Sequence, residues 1–563
     1  MLTFRFFTAV AALSTTITEI LAATVTIKNG TVVGRYVASY KQDHFLGIPY
    51  AQPPLGHLRF NLPQPINKTW DGTLNATEYG PMCSQYLFPV VLDPPNYLTS
   101  YTHSEDCLTI NVVRPSNVTE ESRVPVMVYF YGGGFQEGGS SDGRYNMSYM
   151  LQDSVNMGQP AIMVSMNYRL KGWGFLAGDK VRGQGLNNIG LHDQRLALQW
   201  IQENIAAFGG DASRVTLYGE SAGAISIGHH LLAYGGRDEK LFSAAICQSG
   251  GPWFFGNYHS SEVGEANYQA VLNATNCTTS QDELACLRAA PFEVLNSTFS
   301  QLAFLPVVDG GLIPTYNSVA LGKGNFVKVP LIIGTNTDEG KLFTSPSINT
   351  TEDFRNVLQS PPTGIYTTTP ATVDTLVALY PYPGSSSLHG QSDDTITPPG
   401  YGAQFNRASR WNGDAQFVAG RRYTCELWAQ HGIPCYSYRF NAIPAGVDPL
   451  KKGATHFEEV AFVFNNVLGT GMVSSPFPVE PASRALSYRA LGELMSRMWM
   501  SFAATHSPNN HKLSSFNATW PMYSLDAPAN IVFEGSTTSF IEKDDYRSEA
   551  LKFIIDSALD FSR

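Results

Sequence analysis

The feature that most constrains the fold of this chain is a serine between a short apolar strand and a small-residue helix. Residues 215–228 read VTLYGESAGAISIG, and the Gly-x-Ser-x-Gly pattern within them centres on Ser221. A β-prone run precedes the serine at 214–218, and a helical pattern follows it at 222–232. A strand that turns sharply into a helix lifts the serine hydroxyl above the helix N-terminus, as a nucleophile requires. We therefore predict that Ser221 is a nucleophile.

The same five-residue pattern occurs a second time, at residues 139–143, and is centred on Ser141. Because the chain contains 50 glycines, such a match arises easily by chance. The flanking segment EGGSSDGRYN has no apolar strand before it and no periodic segment after it, which predicts a surface loop and a structural role for Ser141.

The chain also contains apolar runs that are continuous rather than alternating, as expected for strands that are buried on both faces. These runs are residues 124–131, 161–168, 214–218, 242–248, 330–335 and 435–440. A helical pattern at 189–208 separates the second run from the third. The alternation predicts an α/β fold with a mostly parallel, doubly wound central sheet and helices on both faces. Residues 345–410, rich in Pro, Gly, Ser and Thr, are predicted to form an insertion and loop on the same domain.

Composition and charge exclude several classes of protein. Apolar residues make up 43% of the 563 residues, and the net charge is −10 without a basic cluster. This balance argues against a nucleic-acid or anionic-membrane partner. Residues 1–22 resemble a secretory signal peptide, with an N-terminal helix of the fold as the alternative. We expect 23–563 to form a single domain that is secreted without a membrane anchor.

Cysteines and glycosylation sequons support an oxidising, extracellular compartment. Sequence neighbours among the seven cysteines are able to pair, which leaves Cys247 over in an apolar run. The spacing of Cys and His disfavours a zinc site. We expect N-glycans on the protein, although any single sequon can arise by accident; the ten sequons are Asn29, Asn67, Asn75, Asn117, Asn146, Asn273, Asn276, Asn296, Asn349 and Asn517.

Long motifs along nearly the whole chain resemble the type-B carboxylesterase, lipase and cholinesterase family, with secreted fungal carboxylesterases as the closest likeness. SEDCLTINV at 104–112 and FGGDASRVTLYGESAGA at 208–224 are similar to the family's two signatures. FLGIPYAQPPLGHLRF, NYRLKGWGFL and THFEEVAFVF follow the family pattern in the family's order. The resemblance implies the α/β-hydrolase fold and a catalytic triad in the order Ser, Glu, His.

Matched position by position, the resemblance implies that Ser221 is the nucleophile, Glu339 the acid and His456 the base. The chemistry agrees, because a serine hydroxyl becomes a good nucleophile when a neutral imidazole takes its proton. A carboxylate on the far ring nitrogen fixes the tautomer and stabilises the imidazolium. The neighbouring Asp338 is expected to point elsewhere.

The glycine run YGGGF matches the family's oxyanion hole, which implies that the amides of Gly133, Gly134 and Ala222 hold the oxyanion. A phosphate-binding loop is disfavoured, because neither a Lys-Ser/Thr pair nor a Gly-x-Gly-x-x-Gly spacing follows. No cofactor and no metal is implied.

The resemblance also implies supporting roles for residues around the triad. Glu220, Ser249 and Glu459 match a buried polar network, and Arg59 with Glu105 and Arg169 with Asp193 match structural ion pairs. Cys83–Cys107 and Cys277–Cys286 match family disulfides, whereas pairing of Cys425 with Cys435 stays open.

The loop between Cys83 and Cys107 bears on which family member this is. It is short and contains Pro89, Pro94 and Pro95, which oppose a lid helix. It lacks the tryptophan with which cholinesterases hold a quaternary ammonium. Downstream of Ser249, Trp253 is expected to limit acyl size, with a purely structural role for the aromatic cluster at 253–255 as the alternative.

The sequence therefore predicts a secreted serine carboxylesterase that acts on a small-molecule ester. The alternatives are a lipase or sterol esterase and, disfavoured by the intact triad, a non-catalytic adhesion protein. The natural substrate and the oligomeric state stay open.

Overall fold

The computed structural model describes residues 23–85, 100–253, 258–359, 368–382 and 396–561. The predicted signal peptide lies outside these residues, as do the prolines at 89, 94 and 95 and the phenylalanines at 254 and 255. The described strands are β1 (Thr24–Ile27), β2 (Gly30–Val33), β3 (Arg35–Val37), β4 (Gln42–Pro49), β5 (Thr73–Asn75), β6 (Met82–Cys83), β7 (His103–Ser104), β8 (Thr109–Pro115), β9 (Val124–Phe130), β10 (Ile162–Met166), β11 (Gly210–Glu220), β12 (Ala244–Gln248), β13 (Leu331–Asn336), β14 (Cys435–Phe440), β15 (Ala529–Phe533) and β16 (Phe540–Lys543).

The described helices connect and cover these strands. They are α1 (Met147–Asn156), α2 (Lys171–Phe175), α3 (Asp179–Gly183), α4 (Ile189–Asn204), α5 (Ala222–Gly236), α6 (Ser261–Thr275), α7 (Glu283–Ala289), α8 (Phe292–Ser300), α9 (Asn317–Gly322), α10 (Thr351–Gln359), α11 (Pro370–Leu379), α12 (Phe405–Gly413), α13 (Ala419–Gln430), α14 (Val460–Val463), α15 (Ala482–Thr505) and α16 (Ser548–Asp556).

The central sheet contains eleven of the described strands, in the order β16-β15-β14-β13-β12-β11-β9-β10-β8-β4-β3. Its middle, from β10 through β9, β11, β12, β13 and β14 to β15, is parallel. The flanks at β8, β4, β3 and β16 pair antiparallel. The six strands predicted from apolar runs are consecutive neighbours in the parallel region. Crossover helices connect them, since a parallel pair cannot be joined by a tight turn.

Both faces of this sheet are covered. Side chains alternate along β9, so Val126 and Val128 pack into one core while Met127 and Tyr129 pack into the other. Helices α4 and α13 contribute to the first core, and α1 and α15 contribute to the second. The predicted α/β class, with a mostly parallel doubly wound sheet between helical layers, is confirmed.

The interpretation of residues 345–410 as loop is wrong in part. This segment contains α10, α11 and the first six residues of α12. Helix α11 begins with Pro370 after Thr369, whose hydroxyl accepts a hydrogen bond from the Thr372 amide. Proline is favourable in a first helical turn, so composition alone understated the helical content. Helix α12 packs tightly against Gly340, the residue after Glu339. A Cβ on Gly340 would lie 1.9 Å from the Ser409 carbonyl oxygen of this helix.

Disulfides and buried ion pairs link parts of this framework. The structure contains the bonds Cys83–Cys107, Cys277–Cys286 and Cys425–Cys435, and Cys247 is a buried free thiol. Arg59 binds Glu105 through two contacts of 2.7 Å, and Arg169 binds Asp193 at 2.8 and 2.7 Å.

Candidate active site

Ser221 occupies a strained turn between β11 and α5. Its φ of 54° and ψ of −124° lie outside the regions that side-chain-bearing residues favour. The motif glycines are required by close packing, because a Cβ on Gly223 would lie 2.0 Å from the Phe130 carbonyl oxygen. A Cβ on Gly219 would lie 2.8 Å from the backbone of Gly223. The Gly-x-Ser-x-Gly pattern thus allows the helix to approach the sheet closely enough for this turn.

Three side chains from separate segments meet at this turn. The Nε2 atom of His456 lies 2.8 Å from the Ser221 hydroxyl, and its Nδ1 atom lies 2.7 Å from Oε2 of Glu339. Glu339 follows the carboxyl end of β13, and His456 lies on the loop that precedes α14. In this arrangement the imidazole can take the proton of the hydroxyl. The carboxylate, which is bonded to the other ring nitrogen, stabilises the imidazolium that then forms.

The Glu339 carboxylate is fixed by donors other than the histidine. Its Oε1 atom accepts hydrogen bonds from the Ser249 hydroxyl at 2.6 Å and from the Asn336 amide at 2.8 Å. Asp338 points elsewhere: it pairs with Lys341 at 2.9 Å and accepts from the Ala454 amide at 3.0 Å. Of the two adjacent acids, only Glu339 faces the imidazole.

Buried carboxylates control the protonation of His456. Burial alone would lower the pKa of His456, but Glu220 and Glu339 raise that pKa to about 9. The Glu220 Oε1 atom lies 3.2 Å from Nε2. Burial in turn raises the pKa of the Glu220 carboxyl well above its usual range. The negative charge of Glu220 raises the pKa of His456, and the positive charge of His456 in turn lowers the pKa of Glu220.

Glu459 anchors the polar layer behind the triad. It is fully buried and accepts hydrogen bonds from the Asn336 side chain at 2.7 Å and from the Gln248 side chain at 3.2 Å. Burial raises the pKa of Glu459. The sequence reasoning missed Gln248 and Asn336. A polar residue that ends an otherwise apolar parallel strand, as each does on β12 and β13, is the signal that would have found them.

Two aromatic rings enclose the imidazole. The Phe343 ring centroid lies 5.0 Å and the Phe417 centroid 4.9 Å from that of His456. Phe417 belongs to a π-helical turn, Asp414–Val418, which separates α12 from α13. Such turns often re-aim a side chain at a functional site, and the sequence gives little sign of this one.

The predicted oxyanion loop runs beside Ser221. A Cβ on Gly132 would lie 3.1 Å from the Ser221 Cβ, and Gly133 and Gly134 follow with φ of 96° and 63°. Further along the loop, the Gln85 side chain accepts from the Gly138 amide at 2.7 Å and donates to its carbonyl at 2.8 Å. These contacts fix the loop at its far end. Ala222 begins α5 immediately after the serine.

Trp253 lies in the core and is 2% exposed. Its carbonyl oxygen would lie 2.3 Å from a Cβ on Gly420 of α13, and its ring centroid lies 6.3 Å from that of Tyr423. The acyl-pocket role of Trp253 stays a prediction.

The segment around Ser141 is more buried than the surface loop that the sequence suggested. Ser140 and Asp142 are 4% and 2% exposed. The Asn167 side chain accepts from both the amide and the hydroxyl of Ser140, each at 2.9 Å. Burial is possible because these hydrogen bonds satisfy the polar groups of a turn-rich segment. Ser141 itself is only partly buried.

Comparison with known proteins agrees with this geometry. The sequence model of the Carboxylesterase family matches residues 22–553. The chain belongs to the carboxylesterase family. It is therefore a carboxylic ester hydrolase by membership, and the resemblance predicted from the motifs is confirmed.

Fungal relatives cover nearly the whole chain. "Lipase 2" of Geotrichum candidum is 34% identical over 93% of this chain and 93% of its own. "Secreted lipase 1" of Botryotinia fuckeliana is 33% identical over 95% of this chain and 93% of its own. The crystal structure of Aspergillus niger EstA matches with a TM-score of 0.81 and 28% identity, over 96% of this chain and 99% of that one.

The described residues show neither a group of metal-ligating side chains nor a membrane-spanning helix. They contain no cluster of histidine, cysteine or acidic side chains that could hold a metal ion. Among the same residues, no helix is both long enough and apolar enough to cross a membrane.

Proposed function

We propose that the protein is a secreted serine carboxylesterase that hydrolyses small-molecule esters through Ser221, His456 and Glu339. The observation that carries the proposal is the hydrogen-bonded chain from Glu339 through both nitrogens of His456 to the Ser221 hydroxyl, at 2.7 and 2.8 Å. Ser221 lies on a strand-to-helix turn that exposes its hydroxyl, which supports the same role.

In the acylation step, His456 takes the Ser221 proton at Nε2 as the oxygen attacks the ester carbonyl. The charge that develops on the carbonyl oxygen is held by the amides of Gly133, Gly134 and Ala222, each such donor being worth roughly 10²- to 10³-fold in rate. His456 then gives the proton to the leaving alcohol. Glu339 stabilises the imidazolium throughout, and Ser249 and Glu459 keep the acid and its surroundings in place.

In the deacylation step, His456 activates a water molecule, which attacks the acyl-enzyme and releases the acid. Ser221 regains its proton from the imidazolium. These steps use only groups of the chain, the ester and water.

The decisive test removes the nucleophile. Ser221→Ala should lower kcat by roughly 10⁴-fold or more while the protein stays folded, because triad members act as a unit. Ser141→Ala, in the other Gly-x-Ser-x-Gly match, is the matched control and should keep its activity. A fluorophosphonate should label Ser221. Near-full activity in Ser221→Ala, or label on another serine, would refute the assignment.

Secretion and N-glycosylation belong to the same proposal. The signal-like residues 1–22, three disulfides and a relative named as a secreted lipase support them. Expression of the full chain in a fungal host should give protein in the medium that begins near residue 23. Glycosidase treatment should lower its mass.

A lipase is the second candidate, because several relatives carry that name. Activity on emulsified long-chain triglyceride distinguishes the two. A carboxylesterase should prefer short-chain esters in solution, whereas a lipase should be more active on the emulsion. The alternative of a non-catalytic adhesion protein would leave every ester intact.

A further inference from the structure

Phe457, next to the proposed base, adopts an unusual backbone conformation. Its φ is 77°, in the left-handed region that a bulky aromatic residue rarely adopts. Such a conformation persists only where the surroundings hold it. Because Phe457 shares a peptide bond with His456, any relaxation of its backbone would move the imidazole relative to Ser221.

Arg144 is the residue positioned to hold it. The guanidinium carbon lies 4.9 Å from the Phe457 ring centroid, and the Tyr145 ring meets the same ring edge-on at 6.2 Å. Arg144 is 5% exposed and Phe457 is 7% exposed. A cation over an aromatic face is most effective when both groups are largely buried, as they are here.

The guanidinium is itself fixed in direction. Asp142 accepts from Arg144 Nε at 2.9 Å and from Nη2 at 2.6 Å, and it also accepts from the Arg144 amide at 2.9 Å. The Asp142 side chain is fully buried. A two-pronged contact of this kind sets the plane of the guanidinium as well as its position.

We propose that Arg144 is a positioning residue that acts through the Phe457 ring to hold His456 in line with Ser221. The inference rests on the proposed function. It joins two segments that the triad does not connect: the turn after the oxyanion loop, which contains Arg144, and the loop that contains the base. The sequence reasoning assigned no role to either residue.

The first test replaces the aromatic face and leaves the buried Arg144–Asp142 pair intact. Phe457→Leu should lower kcat roughly 10- to 100-fold, as expected for a small displacement of a reacting group, with KM changed by less than about threefold. Phe457→Tyr keeps the aromatic face and should keep kcat. Phe457 is one of the residues that line a cavity of about 130 Å³, so we expect the added hydroxyl to be accommodated.

The second test asks whether Arg144 acts through this ring. Arg144→Met should lower kcat as Phe457→Leu does, and the double variant should be no worse than either single one. The matched control is Arg114→Met. Arg114 also pairs with a largely buried aspartate, Asp43, and lies over a ring, Phe45, but near the opposite end of the strands. Arg114→Met should leave kcat within about twofold of the parent.

The outcomes distinguish a failure of this inference from a failure of the proposed function. If Phe457→Leu keeps its kcat, or if the losses in the double variant multiply, Arg144 does not act through Phe457. If Arg144→Met does not fold, Phe457→Leu and Phe457→Tyr still decide. Labelling of Ser221 in the parent protein tests the proposed function separately, so normal labelling beside normal Phe457→Leu kinetics would overturn this inference alone.

Discussion

The adjacent acids Asp338 and Glu339 allow a pair of near-identical substitutions with opposite consequences. In Glu339→Gln the new amide can donate to Nδ1 of His456, which favours the tautomer with a proton on Nε2. That nitrogen then cannot accept the proton from Ser221. We expect kcat to fall about 10⁴-fold, with little change in stability, because the Ser249 and Asn336 donors keep an oxygen to bind.

Asp338→Asn should behave in the reverse manner. The Asp338 and Lys341 side chains are 7% and 4% exposed, and their 2.9 Å pair is buried. Removing one charge of such a pair costs about 3–5 kcal/mol. The free energy of unfolding should therefore drop, while kcat per folded molecule stays within a few-fold of the parent, since Asp338 does not face the imidazole.

Both quantities are measurable on the same preparations. Hydrolysis of p-nitrophenyl butyrate gives kcat, and tryptophan fluorescence in urea gives the unfolding midpoint. A loss of about 10⁴-fold in Asp338→Asn, with Glu339→Gln still active, would show that Asp338 is the acid and that the hydrogen-bond geometry misled us.

Three further predictions concern proton affinity, substrate size and glycosylation. An imidazole accepts a proton only when neutral, so if His456 is the base, its raised pKa should put the rising limb of kcat/KM at high pH. Glu220→Gln removes a nearby negative charge and should shift that limb to lower pH; an unmoved limb would mean that Glu220 is already protonated. If Trp253 limits acyl size, Trp253→Ala should raise kcat/KM for octanoate relative to butyrate esters, since each added methylene that the pocket accommodates is worth about 1 kcal/mol. The parent protein should show no jump in activity above the solubility limit of the ester. Asn29 should carry no glycan in the folded protein, because its side-chain amide is buried and donates to the carbonyls of Ile66 and Lys68 at 2.8 and 3.1 Å. The exposed Asn117 should be accessible to glycosylation. Peptide mass mapping with and without glycosidase tests both predictions.

How far the sequence predicted this structure depended on the range of the interactions involved. The parallel strands and the nucleophile turn were predictable, because continuous apolar runs and a Gly-x-Ser-x-Gly segment are local signals. The antiparallel flanking strands β3, β4, β8 and β16 were not predicted, and neither was β15, which extends the parallel region.

The missed site residues depend on contacts between distant segments. Arg144 meets Phe457, and Phe417 reaches His456 from a π-helical turn. No local sequence pattern predicts such contacts between distant segments. The family motifs supplied the proposed acid and the proposed base, which residue chemistry alone would not have singled out.

The register of the sheet accounts for the precision of the site. Ser221 and Ser249 follow the ends of β11 and β12, and both have left-handed backbones, with φ of 54° and 50°. The Ser221 amide donates to the Gln248 carbonyl on β12, and the Ser249 amide donates to the Gly334 carbonyl on β13, both at 2.9 Å. The hydrogen-bond ladder thus extends one residue past each strand and holds the strained residue in place.

The two hydroxyls fixed in this way lie at opposite ends of the proton-transfer chain. The Ser221 hydroxyl reaches Nε2 of His456, and the Ser249 hydroxyl reaches Oε1 of Glu339. Strand pairing therefore fixes Ser221 directly and holds Glu339, which follows β13, through Ser249 and Asn336, whereas His456 lies on a longer loop. Among the described residues no strand pairing holds His456, and the role proposed for Arg144 and Phe457 is to keep the imidazole in line with Ser221.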